Sequence, residues 1–285
     1  MRLALSGIAC LLFVPASRPE RFEKACAASP EGIVIDLEDA VPPADKCTAR
    51  EAVIAFLRQE RPGRPVLVRI NPLSTRAGLD DLAAIADGAL RPAGLFLAKV
   101  EAARDIEIVR GHLPAPLPLL AAIETAAGMK AAGEIAAALG PDGALGFGGA
   151  DFAVDLGAEF TWEALYAGRA AIVQAAAIGR IGCFDVPHLG IGDQESLAAE
   201  VARVRAMGFT GKLAIHPSQV ETIRDGFRPT AEEIARARRI VDALDTVGGG
   251  AVSLDGKMID PPVAQAARRT LVRAGELATS VKQES

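Results

Sequence analysis

A (β/α)8 TIM barrel with a C-terminal helical extension and a hairpin arm is the architecture that this 285-residue sequence predicts. Three observations lead there. Eight short apolar runs recur at fairly regular intervals, most are continuous rather than alternating, and helix-like stretches follow most of them. Continuous runs suit parallel strands, because such strands are covered on both faces. Eight alternations within about 220 residues match a barrel that typically needs ~250. The alternative is an open doubly wound sheet. Its dinucleotide-binding form is weakened because the first run lacks a Gly-x-Gly-x-x-Gly turn.

In chain order the expected strands are LLFVP (11–15), GIVIDLED (32–39), PVLVRINP (65–72), GLFLAKV (94–100), LPLLAAIET (117–125), ALGFGGAD (144–151), FDVPHLGI (184–191) and GKLAIHP (211–217). The clearest helices are RPERFEKACAAS, DKCTAREAVIAFLRQE, GMKAAGEIAAALG, WEALYAGRAAIVQAAAIG and ESLAAEVARVRAMG. The last places Leu197, Val201 and Val204 on one face, with Glu200, Arg203 and Arg205 turned elsewhere. Gly140 and Gly208 stand where helices commonly stop at a glycine.

These elements place a catalytic barrel domain over 1–225 and leave 226–285 as an extension. The extension reads as a helix, AEEIARARRIVDAL, a GGG hinge, the segment AVSLDGKMIDPP and a final helix. Asp255-Gly256 between VSL and KMI suits a tight hairpin turn. Such an arm suits a lid or a swap onto a neighbouring subunit, and equally plain packing against the barrel's outside.

Bulk composition narrows the function. Half of the residues are hydrophobic, enough for a sizeable core, and net charge is −5. Lys and Arg are scattered, and a single Trp and a single Tyr offer little to stack on bases, which argues against nucleic acid. Cys10, Cys26, Cys47 and Cys183 form no C-x-x-C pair and read as thiols of a reducing compartment. The start, MRLALSGIACLLFVPAS, imitates a signal peptide, but cleavage near Ala16 would remove the first strand. A cytoplasmic protein is therefore expected. No other run has the length to span a membrane.

Polar residues gather at the C-terminal ends of the expected strands: Asp36, Glu38 and Asp39; Arg69 and Asn71; Lys99 and Glu101; Glu124 and Thr125; Asp151; and His216. In a (β/α)8 barrel these ends form the mouth where catalysis takes place. Glu124, which closes a run of apolar residues, would enter that mouth. Glu124 and Asp151 end adjacent strands, and two such anions repel unless they share a proton or a cation. An oxygen-only pair suits Mg²⁺; salt bridges to Arg69 or Lys99 are the alternative. Arg69 offers a planar fork for a carboxylate or a developing oxyanion, or it neutralises Asp36 or Glu38. Lys99 is placed for a Schiff base or for pairing with these carboxylates. His188 and His216 adjoin strand ends as bases or turn-formers, His112 falls in a loop without a role, and the glycines of GFGGAD allow close backbone approach.

Six motifs then occur in order: LLFVPASRPERFEKA, IDLEDAVPPADKCTAREAV, VRINP, AAIETAAGM, GGADFAVDLG and GKLAIHPSQV. From about Leu11 to about Ala278 the series resembles the citrate lyase beta-chain and malyl-CoA lyase group (HpcH/HpaI aldolases) of the phosphoenolpyruvate/pyruvate superfamily. The resemblance implies a Mg²⁺-dependent carbon–carbon lyase acting on 3-hydroxyacyl-CoA thioesters such as malyl-, citramalyl- or citryl-CoA. It also implies a 2-keto acid product and a trimer or larger ring. By matching positions it makes Glu124 and Asp151 the metal ligands and Arg69 a substrate-binding residue. Asp260 of DGKMIDPP becomes an acid or base reaching across from a neighbouring subunit, with Asp255 as the competing choice. Two relatives of this reading stay open: a CoA-independent class II pyruvate aldolase, and a citrate lyase beta subunit active only with an acyl carrier protein.

Overall fold

The computed structural model describes residues 3–29, 31–59, 64–246 and 250–276. The chain divides into two compact units, 1–227 and 228–285. In the first, eight parallel strands close into a barrel in sequence order. They are β1 (Cys10–Pro15), β2 (Ile33–Asp36), β3 (Val66–Ile70), β4 (Gly94–Leu97), β5 (Leu119–Ile123), β6 (Ala144–Phe147), β7 (Gly182–Asp185) and β8 (Gly211–Ala214). Between and after them run α1 (Phe22–Ala28), α2 (Lys46–Leu57), α3 (Arg76–Ala86), α4 (Ala103–His112), α5 (Ala126–Leu139), α6 (Gly149–Leu156), α7 (Trp162–Gly179), α8 (Gln194–Met207) and α9 (Val220–Phe227). Closure rests on the pairing of β1 with β8, Cys10 opposite Lys212 and Leu12 opposite Ala214. The open-sheet alternative is thereby excluded.

Side chains alternate across each strand. Leu11, Val34, Leu67, Leu120, Ala144 and Phe184 fill the barrel interior, while Leu12, Ile33, Val68, Leu119 and Leu145 join the larger layer beneath the helices. Both faces are apolar, so the runs read as continuous in sequence. Helix ends follow local chemistry. The hydroxyls of Thr75 and Thr125 accept from the amides of Gly78 and Gly128 and start α3 and α5. Gly208, at φ 111°, closes α8 in a conformation that a side chain disfavours.

Four expectations are corrected. The seventh strand is Gly182–Asp185, not 184–191: Pro187 has no N–H for a ladder, and Val186 and Pro187 line the mouth instead. The sixth ends at Phe147, so Asp151 lies in the first turn of α6. Glu200 is not turned aside but reaches Lys212 on β8. His112 ends α4 rather than lying in a loop, its Nδ1 2.8 Å from the Ile108 carbonyl.

The second unit has its own small core. Ala237, Ile240 and Leu244 of α10 (Ala231–Thr246) cluster with Ala264, Ala267 and Leu271 of α11 (Pro261–Arg273) and with Ile259. Between the helices β9 (Val252–Leu254) and β10 (Lys257–Ile259) pair antiparallel. Asp255 and Gly256 both have positive φ, 50° and 73°, as the two-residue hairpin turn demands. Of the expected glycine hinge, Gly248 and Gly249 lie outside the described residues.

Candidate active site

A cavity of about 420 Å³ opens at the C-terminal ends of the strands. Its polar side carries Asp36, Asp39, Arg69, Glu124 and Asp151; its apolar side is built from Phe13, Phe96, Phe147, Val186, Leu213 and Ile215. The structure therefore brings together Arg69, Glu124 and Asp151. The inward positions Phe13 and Phe96, whose rings lie 5.5 Å apart, form part of its floor. The sequence reading did not single them out, although their alternation with Leu12 and Leu95 marked them as inward.

Arg69, next to last in β3, is held on three sides. Its Nε and Nη2 donate to the two oxygens of Asp36, each at 2.7 Å. Nη1 lies 2.9 Å from Glu38 Oε2, an ion pair whose alignment falls short of a hydrogen bond. The Phe13 ring lies 5.0 Å from the guanidinium carbon. So Arg69 does neutralise Asp36 and Glu38, and this makes it rigid rather than removing it from the cavity it lines. Lys99 likewise pairs, with Glu38 at 2.7 Å and Asp39 at 3.6 Å. Burial works to lower the Lys99 ammonium's pKa, but Glu38, Asp39 and Glu124 together raise it. An ammonium held by two carboxylates and shifted upward is a poor Schiff-base nucleophile.

Glu124 follows β5 directly and is 3% exposed. Its Oε2 accepts from the Lys99 backbone amide at 3.1 Å, and among the described residues it forms no salt bridge. Burial first, then the Glu38 anion, push its carboxyl up to about 7 against the pull of Arg69; Asp151 adds to the rise. Gly148 makes the space for it. A Cβ there would stand 2.1 Å from Glu124 Cγ. Asp151, half-buried in the first turn of α6, has no hydrogen bond or salt bridge among the described residues. Two carboxylates with no salt bridge among the described residues thus face one cavity, one of them buried.

A hard divalent cation fits this donor set. Among the described residues no group of three or more His, Cys, Asp or Glu forms a metal cluster. Mg²⁺ does not need one, since it keeps waters and takes one or two carboxylates together with substrate oxygens.

The remaining candidates fall elsewhere. Asn71 is tied by its amide and side chain to Asp81, at 3.0 and 2.7 Å. Exposed Glu101 accepts from the Thr125 hydroxyl at 2.8 Å. His188 Nδ1 lies 3.2 Å from Glu200, and His216 Nδ1 lies 2.8 Å from the Ser218 hydroxyl; neither lines the cavity. Asp260 belongs to the second unit, where its side chain accepts from the Val263 amide at 3.2 Å and caps α11. Asp255 pairs with Arg239 at 2.8 Å. Cys10 and Cys183 are buried, Cys26 is half-buried and Cys47 is exposed. No helix among the described residues is long and apolar enough to cross a membrane.

A closed parallel barrel with an acid-rich mouth around a fixed guanidinium defines an enzyme of the TIM-barrel class. The C-C_Bond_Lyase family of the TIM-barrel fold matches residues 174–276. The HpcH/HpaI aldolase/citrate lyase family matches residues 9–217, and the chain belongs to that family as a lyase. A citrate lyase subunit beta-like protein of Mycobacterium tuberculosis is 39% identical over 276 residues, 93% of this chain and 95% of that one. A (3S)-malyl-CoA thioesterase of Cereibacter sphaeroides is 34% identical, covering 94% and 95%. Among solved structures, CitE from Mycobacterium tuberculosis in complex with magnesium, acetoacetate and coenzyme A is 35% identical. It covers 97% of this chain and 100% of that one, with a TM-score of 0.80.

Proposed function

We propose that this protein is a Mg²⁺-dependent lyase that cleaves, or forms, a 3-hydroxyacyl-CoA thioester such as malyl-, citramalyl- or citryl-CoA. The products of cleavage are a 2-keto acid and acetyl-CoA. The observation that carries the reading is the pair Glu124 and Asp151, neither in a salt bridge among the described residues, lining one cavity beside Arg69. The relatives support it: one is named for malyl-CoA, and a solved neighbour holds magnesium with coenzyme A.

In cleavage the substrate's hydroxyl gives up its proton to a base and becomes the keto oxygen. The carbon–carbon bond breaks, and its electron pair passes to the thioester's α-carbon as an enolate, which is then protonated. Glu124 and Asp151 would hold the metal, which would supply Lewis-acid charge to the substrate's oxygens. Arg69, already fixed by Asp36 and Glu38, offsets negative charge that grows on oxygen without having to reorganise. The resemblance assigns the proton at the enolate carbon to Asp260, supplied from the second unit of a neighbouring copy in a trimer or hexamer.

The test is a substrate panel run with and without Mg²⁺, with mass detection of the released keto acid. Release from an acyl-CoA that requires Mg²⁺ and disappears in Glu124→Ala and Asp151→Ala is the expected result. Full activity of either variant in excess EDTA overturns the metal reading. A second reading is favoured by the citrate lyase subunit beta of Haemophilus influenzae, 32% identical to this chain. Inactivity on acyl-CoA with rescue by an acyl carrier protein would move the assignment to it. Cleavage of a free 4-hydroxy-2-keto acid, with no thermal shift from acetyl-CoA plus Mg²⁺, would make the protein a CoA-independent pyruvate aldolase.

A further inference from the structure

We infer that Lys99 is a positioning residue whose left-handed backbone, rather than its ammonium group, orients Glu124 for metal binding. The inference rests on the metal reading above. Lys99 has φ 51°, one of three non-glycine residues with positive φ among those described. For a long side chain this conformation is strained, and strain of this kind persists only where the surroundings impose it.

The strand register shows what it achieves. Leu95 lies opposite Leu119 and Leu97 opposite Ala121, and the Leu95 amide donates to the Pro118 carbonyl. Continued in steps of two, that ladder would send the Lys99 amide to the Ala122 carbonyl. Instead the Val100 amide takes the Ala122 carbonyl, at 3.1 Å. One extra residue has been inserted on the β4 side, and the amide it frees donates to Glu124 Oε2 at 3.1 Å. A bulge next to a site commonly re-aims a group in this way.

The Lys99 side chain has a separate task. Its Nζ donates to Glu38 Oε1 at 2.7 Å, tying the end of β2 to the bulge. From the other side Gly148 closes on Glu124, its amide donating to the Ile123 carbonyl at 3.0 Å. The carboxylate is therefore gripped between the bulge after β4 and the glycine after β6. Among the described residues its second oxygen has no hydrogen bond, and Glu124 lines the cavity.

Lys99→Gly and Lys99→Val both remove the ammonium, so any difference between them reads the backbone alone. Glycine adopts positive φ freely, whereas a β-branched residue resists it. Isothermal titration of the metal-free proteins with Mg²⁺, without substrate, is expected to show Lys99→Val binding at least tenfold more weakly than Lys99→Gly. Lys99→Ala should fall between them, and it carries the comparison should the valine variant fail to fold. Equal affinities of the glycine and alanine or valine variants, with wild type binding normally, overturn the positioning role. Absence of Mg²⁺ binding by wild type instead overturns the metal reading and the inference with it.

Discussion

At the scale of single residues, Glu124 is ionised at a cost. Its carboxyl is raised to about 7 by burial and by Glu38, so the folded state favours the protonated form. The sign follows: this group's stabilising contribution is present below its unfolded value near 4.5 and is lost as pH rises through about 7. The loss amounts to about 3 kcal/mol in the metal-free protein. Glu124→Gln is therefore expected to melt several degrees above wild type at pH 8 in EDTA, with the gap closing toward pH 5, and to lose Mg²⁺ binding. Scanning calorimetry at the two pH values checks it, and a variant less stable than wild type at pH 8 would refute the electrostatic account. Arg69 makes the opposite kind of demand. Its three nitrogens serve two carboxylates at once, which a lysine's single point charge does not reproduce. Arg69→Lys should lose most of its kcat, and wild-type kinetics would reduce Arg69 to a structural part.

At the scale of elements, strand ends were legible where a charge stops an apolar run. Glu124 after LLAAI and Arg69 within VLVRI sit where that logic places them. It failed on β6 and β7 for a physical reason. Residues that line a ligand cavity are as apolar as residues that line a core, so Val186 and Pro187 prolonged an apparent strand. The glycines after Phe147 hid the start of α6. Nor did helical periodicity reveal the charges buried behind β7 and β8. Lys212, fully buried, donates to Asp185 at 2.6 Å and also reaches Glu200 and the Val186 carbonyl. Arg169 meets the other oxygen of Asp185 at 2.8 Å. The cluster anchors the Val186–Pro187 wall of the cavity to the two strands. Removing one partner of such a buried set strands the others, typically at 3–5 kcal/mol. Lys212→Met is expected to lose about that much in urea unfolding. A loss under ~1 kcal/mol would mean that water already screens the cluster.

At the scale of the whole molecule, the eightfold alternation announced the barrel because local period and global closure agree. What a neighbouring copy would contribute on the proposed reading leaves no such periodic trace. Asp260 illustrates the difficulty, since its carboxylate already has a local task as the cap of α11. Capping and proton transfer can be separated by chemistry: asparagine caps a helix about as well as aspartate, but its amide carries no proton to give at neutral pH. Asp260→Asn should therefore keep the wild-type melting temperature and Mg²⁺ affinity while kcat falls by about 10²–10⁴-fold. Asp260→Ala should lose the same activity and in addition ~1 kcal/mol of stability. Mixing Asp260→Asn with Glu124→Gln protein then asks whether the residue acts between copies. On the proposed reading each variant alone should be inactive, but subunit exchange in an oligomer would create sites with an intact Glu124 on one chain and an intact Asp260 on the next. Recovered activity in the mixture assigns Asp260 to the neighbour's site, whereas a mixture as inactive as its components confines both residues to a single chain.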